Sequence, residues 1–107
     1  MSFAHNLQQL PSVENVSFLQ LIDDSGGHQG VIENQAGQAG SLAVYAFLAG
    51  KYGRIDRVAA QEGLSLFAEH TDHARANPGS HPNIDRLLAC VEDDLCWRVQ
   101  ISHKSRT

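Results

Sequence analysis

Apolar positions recur along the chain with distinct spacings, and each spacing predicts an element. Phe3, Leu7 and Leu10 fall at helical intervals, with Ser2 able to cap the start and Pro11 to end it. A short helix is therefore expected over residues 2–9. The run VSFLQLI (16–22) has the content of a strand. Its apolar side chains divide between two faces, Phe18 and Ile22 on one, Leu19 and Leu21 on the other. A strand of that kind belongs in the middle of a sheet, with cover on both sides. DDSGGHQG (23–30) reads as a turn cluster, and Val31 and Ile32 open a second short strand, VIEN. The two strands are expected to pair as a hairpin.

AGQAGS (36–41) is a Gly-rich connector into LAVYAFLAGKYG, read as a helix with Ser41 as N-cap and Gly53 as its stop. This helix is apolar nearly all round, which predicts a central, buried position. Asp56 caps the next helix, which runs to about Ala76 and ends at Asn77-Pro78-Gly79. Ile55, Ala59, Leu66, Phe67 and Ala74 share one broad face of it. Leu64 falls opposite, beside Gly63, where a break, a kink or a second packing partner is expected. After the loop 80–83, Ile84, Leu87, Leu88 and Val91 follow the i, i+3, i+4, i+7 pattern of a further helix. Glu92, Asp93 and Asp94 oppose the dipole at its end, so the chain there should fray or turn sharply. LCWRVQIS (95–102) alternates as a strand, with Leu95, Trp97, Val99 and Ile101 on one side. The tail HKSRT is polar and expected to be loose.

The order α-β-β-α-α-α-β predicts one α+β domain over residues 1–107. Its small three-stranded, mostly antiparallel sheet should have the first strand central, the last beside it, and helices on one face. The opposite face then keeps half of the first strand's apolar residues. Self-association is the expected way to cover it, so a homodimer is predicted.

Composition narrows the function. The chain is 42% hydrophobic and 19% charged, which excludes a disordered polymer. A net charge of -4 speaks against a nucleic-acid partner. No stretch approaches the roughly 18 apolar residues of a membrane span. The first residues, MSFAHNLQQLP, hold no Lys or Arg and no continuous apolar run, unlike a secretory signal. Cys90 and Cys96 are too few for a disulfide framework and are not spaced as CxxC. Two reduced thiols and a cytoplasmic location are expected.

The stretch with most chemistry is Glu69-His70-Thr71-Asp72-His73, followed by His81. His70 and His73 lie on one side of a helix, and His81 comes just after the turn. With Glu69 or Asp72 they could hold a divalent metal such as zinc, with one position open for water. The plainer reading is a set of capping and surface histidines at a helix end. AGQAGS has the strand–glycine–helix order of a phosphate loop, but it matches neither GxxxxGK[ST] nor GxGxxG. Asp23-Asp24-Ser25 offers oxygen ligands, though such residues before glycines more often form Asx turns. Lys51, Arg54 and Arg57 form a basic group beside Tyr52, more simply read as ion-pair partners. Trp97 reads as core and the two cysteines as inert.

The segment LFAEHTDHARANPGSHPNIDRLL (66–88) resembles a family of small bacterial proteins with no assigned function. The resemblance implies a soluble bacterial protein and assigns no catalytic or binding residue. Taken together, the sequence predicts a small cytosolic binding or assembly module acting as a homo-oligomer. The alternative is a small metal-dependent, hydrolase-like enzyme using the cluster at 69–81, with residues 37–41 as a phosphate-binding site in reserve.

Overall fold

The computed structural model describes residues 2–104. Its elements run α1 (Phe3–Gln8), β1 (Val16–Ile22), β2 (His28–Glu33), α2 (Ala39–Tyr52), α3 (Arg57–Phe67), α4 (Glu69–Ala76), α5 (Pro82–Asp93) and β3 (Arg98–His103). The sheet order is β2-β1-β3 with both pairs antiparallel, so β1 is central as its two-faced pattern requires. Leu19 stands between Ile32 and Ile101, and Leu21 between Gly30 and Val99. Leu19, Leu21 and Ile32 are fully buried, and α2 packs against all three strands. A bulge between Val16 and Phe18 adds one residue to β1, and Val16 is buried with Leu19 and Leu21. On the opposite face Phe18 and Ile22 stay half-buried, among Gln20, Val31, Glu33, Arg98 and Gln100.

The hairpin closes earlier than expected. Asp23 Oδ1 accepts from the Gly27 amide at 2.7 Å and the Ser25 amide at 3.0 Å, while Oδ2 takes the Gln29 side chain at 2.6 Å. These donors, Gly27 first, hold the Asp23 carboxyl below its ordinary range. The turn is thereby confined to 23–27, with Gly26 at φ 85, and β2 begins at His28 rather than Val31.

Helix α2 also starts early. Ser41 lies inside it, and Gln38 occupies the N-cap position without a capping side-chain bond. The Gln38 Oε1 instead accepts from the Glu33 amide at 3.0 Å, across the connector. Gly53 ends the helix at φ 77, as expected.

Asp56 does cap α3, accepting from the Ala59 amide at 2.9 Å. The long helix expected to reach Ala76 breaks into α3 and α4, and the break is at Ala68 rather than Gly63. Gly63 stays helical because it provides a second packing surface: a Cβ there would lie 2.7 Å from Leu87 Cδ1 and 2.9 Å from Leu48 Cδ1. At the break, Thr71 Oγ1 donates to Leu64 O at 2.6 Å and Asn6 Nδ2 to Leu66 O at 2.9 Å. These side chains take carbonyls that a continuous helix would have satisfied itself. Ala68 adopts φ 51 and ψ -118, a region that favours glycine. Ala68→Gly should relieve strain of order 1–3 kcal/mol, less the entropy glycine adds to the unfolded chain, for a net gain near 1 kcal/mol. Thermal unfolding should then move upward by a few degrees, whereas Ala68→Val should lower it.

Asp94, at φ 54, makes the sharp turn expected after α5. Leu95 is still within that turn and 36% exposed, so it does not share the side of Trp97 as the alternation suggested. Trp97 is buried and exchanges backbone hydrogen bonds of 2.9 Å with Ile55, just before β3. His103 is the last residue of β3 and the Lys104 amide bonds to Asn15 O at 2.8 Å, so the tail's first residues are held; residues 105–107 lie outside the described ones.

Both cysteines are free. Cys90 is fully buried with Sγ 3.0 Å from Leu95 O, and burial pushes its thiol up to about 11. A thiol-labelling time course at neutral pH should therefore show one fast site, Cys96, and a second only after unfolding. The native state keeps the Cys90 proton longer than the unfolded chain does. Its contribution to stability should thus be constant below the ordinary thiol range and decline as pH rises through it towards 11.

Candidate functional site

The turn between α4 and α5 brings His81 back against α4. Asn77 ends α4, with its Nδ2 donating to His73 O at 3.0 Å, and Gly79 reverses the chain at φ 93. The Gly79 amide donates to Asp85 Oδ2 at 2.9 Å, which ties the turn to α5. His81 Nε2 then lies 2.9 Å from His73 Nδ1, and the His70 ring centroid is 5.7 Å from that of His81. The three histidines singled out by sequence therefore converge.

The carboxylates do not join them. Glu69 Oε1 accepts from the Phe3 amide at 2.8 Å, and that bond holds its carboxyl below the ordinary range. Asp72 lines a different, wide groove with Gln61, Ser65 and Arg75. Among the described residues, no group of three or more His, Cys, Asp or Glu is arranged to hold one metal ion.

Beside the histidines is a cavity of about 430 Å³. Phe3, Leu7, Phe67 and Ile84 supply its apolar surface. Phe3 stacks on Phe67 at 5.2 Å and meets the His70 ring edge-on at 5.0 Å. His70, Ser80, His81 and Asn83 also line it, as do Gly37 just before α2 and Gly40 and Ser41 at its start. His70 and His81 and the AGQAGS connector, separate in sequence, thus border one space.

The start of α2 carries unused donors. The Ala39 amide bonds to Gln35 O and the Leu42 amide to Gln38 O, each at 2.9 Å. The Gly40 and Ser41 amides between them have no acceptor among the described residues. Gly40 packs closely on α1, since a Cβ there would lie 3.1 Å from the Phe3 ring. No Asp or Glu lines this cavity, in a chain with 12 of them.

A family model described as an uncharacterized protein conserved in bacteria (DUF2322) matches residues 3–101. The chain belongs to this family. The DUF2322 match takes in the residues that line the cavity and all three histidines. No curated protein and no solved structure matches the chain. Among the described residues of this DUF2322 chain, no helix is long and apolar enough to cross a membrane.

The other sequence candidates are occupied by local structure. Asp23 is saturated by its own turn. Lys51 pairs with Glu62 at 2.7 Å, Arg54 with Asp56 at 3.4 Å and Arg57 with Asp94 at 3.8 Å. Tyr52 OH donates to the same Glu62 oxygen at 2.5 Å. Asn83 carried no signal in the sequence. Its place in the cavity depends on contacts with α2 and with Arg86 one helical turn further on.

Proposed function

We propose that this DUF2322 protein is a small cytosolic binding module whose ligand carries an anionic group, held in the cavity between α1, the start of α2, α4 and α5. The observation that carries this reading is the lining itself: Gly40 and Ser41, whose amides have no acceptor among the described residues, border a space together with His70 and His81, with no acidic side chain. The start of a 14-residue helix also presents the positive end of its dipole there. Phe3, Phe67 and Ile84 fit a ligand with an apolar body.

Thermal unfolding with inorganic phosphate, phenyl phosphate and glycerol tests this. Phosphate should raise the midpoint, phenyl phosphate should do so at lower concentration, and glycerol at matched millimolar concentrations should do nothing. His81→Ala should weaken the response. An unchanged midpoint with both anions would remove the reading.

A zinc arm of the same experiment addresses the metal-dependent, hydrolase-like alternative. Only the pairing of His73 with His81 at 2.9 Å speaks for it, since no third ligand among the described residues is arranged with them to hold one ion. Zinc stabilisation lost on changing His70 and His73 to Ala would favour it; no co-purifying metal and no zinc response would end it.

Self-association is proposed on a separate observation, the half-buried Phe18 and Ile22 and the 46% exposed Val31 on the open sheet face. Sedimentation at micromolar concentration should show a dimer. A clean monomer that persists at higher concentration would contradict it.

A further inference from the structure

We propose that Asn83 selects the ligand of this cavity, its side-chain amide donating to an oxyanion, and that Arg86 and Gly30 position it for that task. The inference rests on the anion-binding reading above. Arg86 donates to Asn83 Oδ1. A guanidinium has donors only, so the oxygen end of the Asn83 amide must face it. The donor end, Nδ2, is left without an acceptor among the described residues, on a residue that lines the cavity. The backbone is held as well. Tyr45, fully buried, donates its hydroxyl to Asn83 O at 2.6 Å.

Arg86 is itself seated by a glycine. A Cβ at Gly30 in β2 would lie 2.7 Å from the guanidinium carbon. A side chain there would push the guanidinium away and release the amide. Three donors on residues around the cavity are then without a partner among the described residues: the Gly40 and Ser41 amides and Asn83 Nδ2. A group that only accepts, a phosphate or a carboxylate, satisfies all of them. A neutral hydroxyl or amide would bring donors of its own and leave pairs unmade.

Calorimetric titration of the full chain with inorganic phosphate, and separately with acetate, tests the assignment. The tighter anion tells a phosphate site from a carboxylate site. Asn83→Asp keeps an oxygen towards Arg86 but replaces the donors with a negative acceptor. It should bind the preferred anion at least tenfold more weakly, with its melting temperature unchanged or raised. Asn83→Ala should weaken binding about tenfold, as expected for a lost hydrogen bond to a charged group. Arg86→Met and Gly30→Ala should each cost roughly threefold by freeing the amide, and Arg86→Lys should restore part of that loss. In the unaltered protein the Asn83 side-chain NH₂ signals should shift saturably with the anion, which tests the contact without relying on any variant's folding.

Binding within twofold of the original by Asn83→Asp, or NH₂ signals that stay still while the anion binds, overturns the role of Asn83 and leaves the cavity reading standing. Failure of the unaltered protein to bind either anion overturns both.

Discussion

Leu19→Ala is expected to destabilise the domain by about 3 kcal/mol, within the range for a large-to-small change at a fully buried site. Leu19 sits on the central strand, directly between Ile32 and Ile101, so its side chain joins all three strands on the face that α2 packs against. Truncation removes apolar area and leaves a void that edge strands on both sides cannot fill together. For a domain of this size the melting temperature should fall by roughly 12–24 °C. Phe18→Ala, one residue away on the half-buried face, should cost much less in the monomer. Comparable losses at the two positions would mean that the face of Phe18 is as well sealed as that of Leu19.

Gly63→Val is the second large effect. Gly63 faces two neighbouring helices, with Leu87 of α5 and Leu48 of α2 both within 3 Å of where a Cβ would stand. Leu87 and Leu48 are fully buried, so neither can swing out to solvent. A valine adds two further methyl groups and should cost about 2–3 kcal/mol through overpacking. Gly63→Ala should cost less, because the gain in helix propensity, about 1 kcal/mol, offsets part of the strain. Chemical denaturation of the two variants would show the ordering, and a neutral or stabilising Gly63→Val would mean that the three helices are more loosely packed than described.

Much of this fold was legible because it rests on local chemistry. The two-faced apolar set of VSFLQLI placed β1 in the centre, and Asp56 and Gly53 marked helix ends by capping and by backbone freedom. Other outcomes depended on side-chain bonds that spacing does not show. Gln38 gives its side chain to Glu33 and leaves α2 uncapped, so Ser41 is drawn into the helix. Ala68 takes the break because Thr71 and Asn6 bond the carbonyls of Leu64 and Leu66. Gly63, where the sequence allows a break, a kink or a second packing partner, shows the last of these, against Leu87 and Leu48.

The site divides the same way. The Pro-Gly turn after His73 allowed His81 to fold back but did not show that it would meet His73. The exclusion of Glu69 could not be anticipated, since its partner is the Phe3 amide at the other end of the chain. Nor does any spacing show that residues 37–41 border the same space as residues 70–83, because the contact depends on how α1, α2 and α4 stack around Phe3 and Phe67.

The most direct measurement is a ¹H–¹⁵N titration of the whole protein with inorganic phosphate, following backbone amides and imidazole nitrogens together. Saturable shifts sharing one dissociation constant at Gly40, Ser41, His70 and His81, with the α3 start at Arg57–Ala59 unmoved, are the predicted result. Shifts spread evenly over exposed helix starts, or none at Gly40 and Ser41, would contradict it.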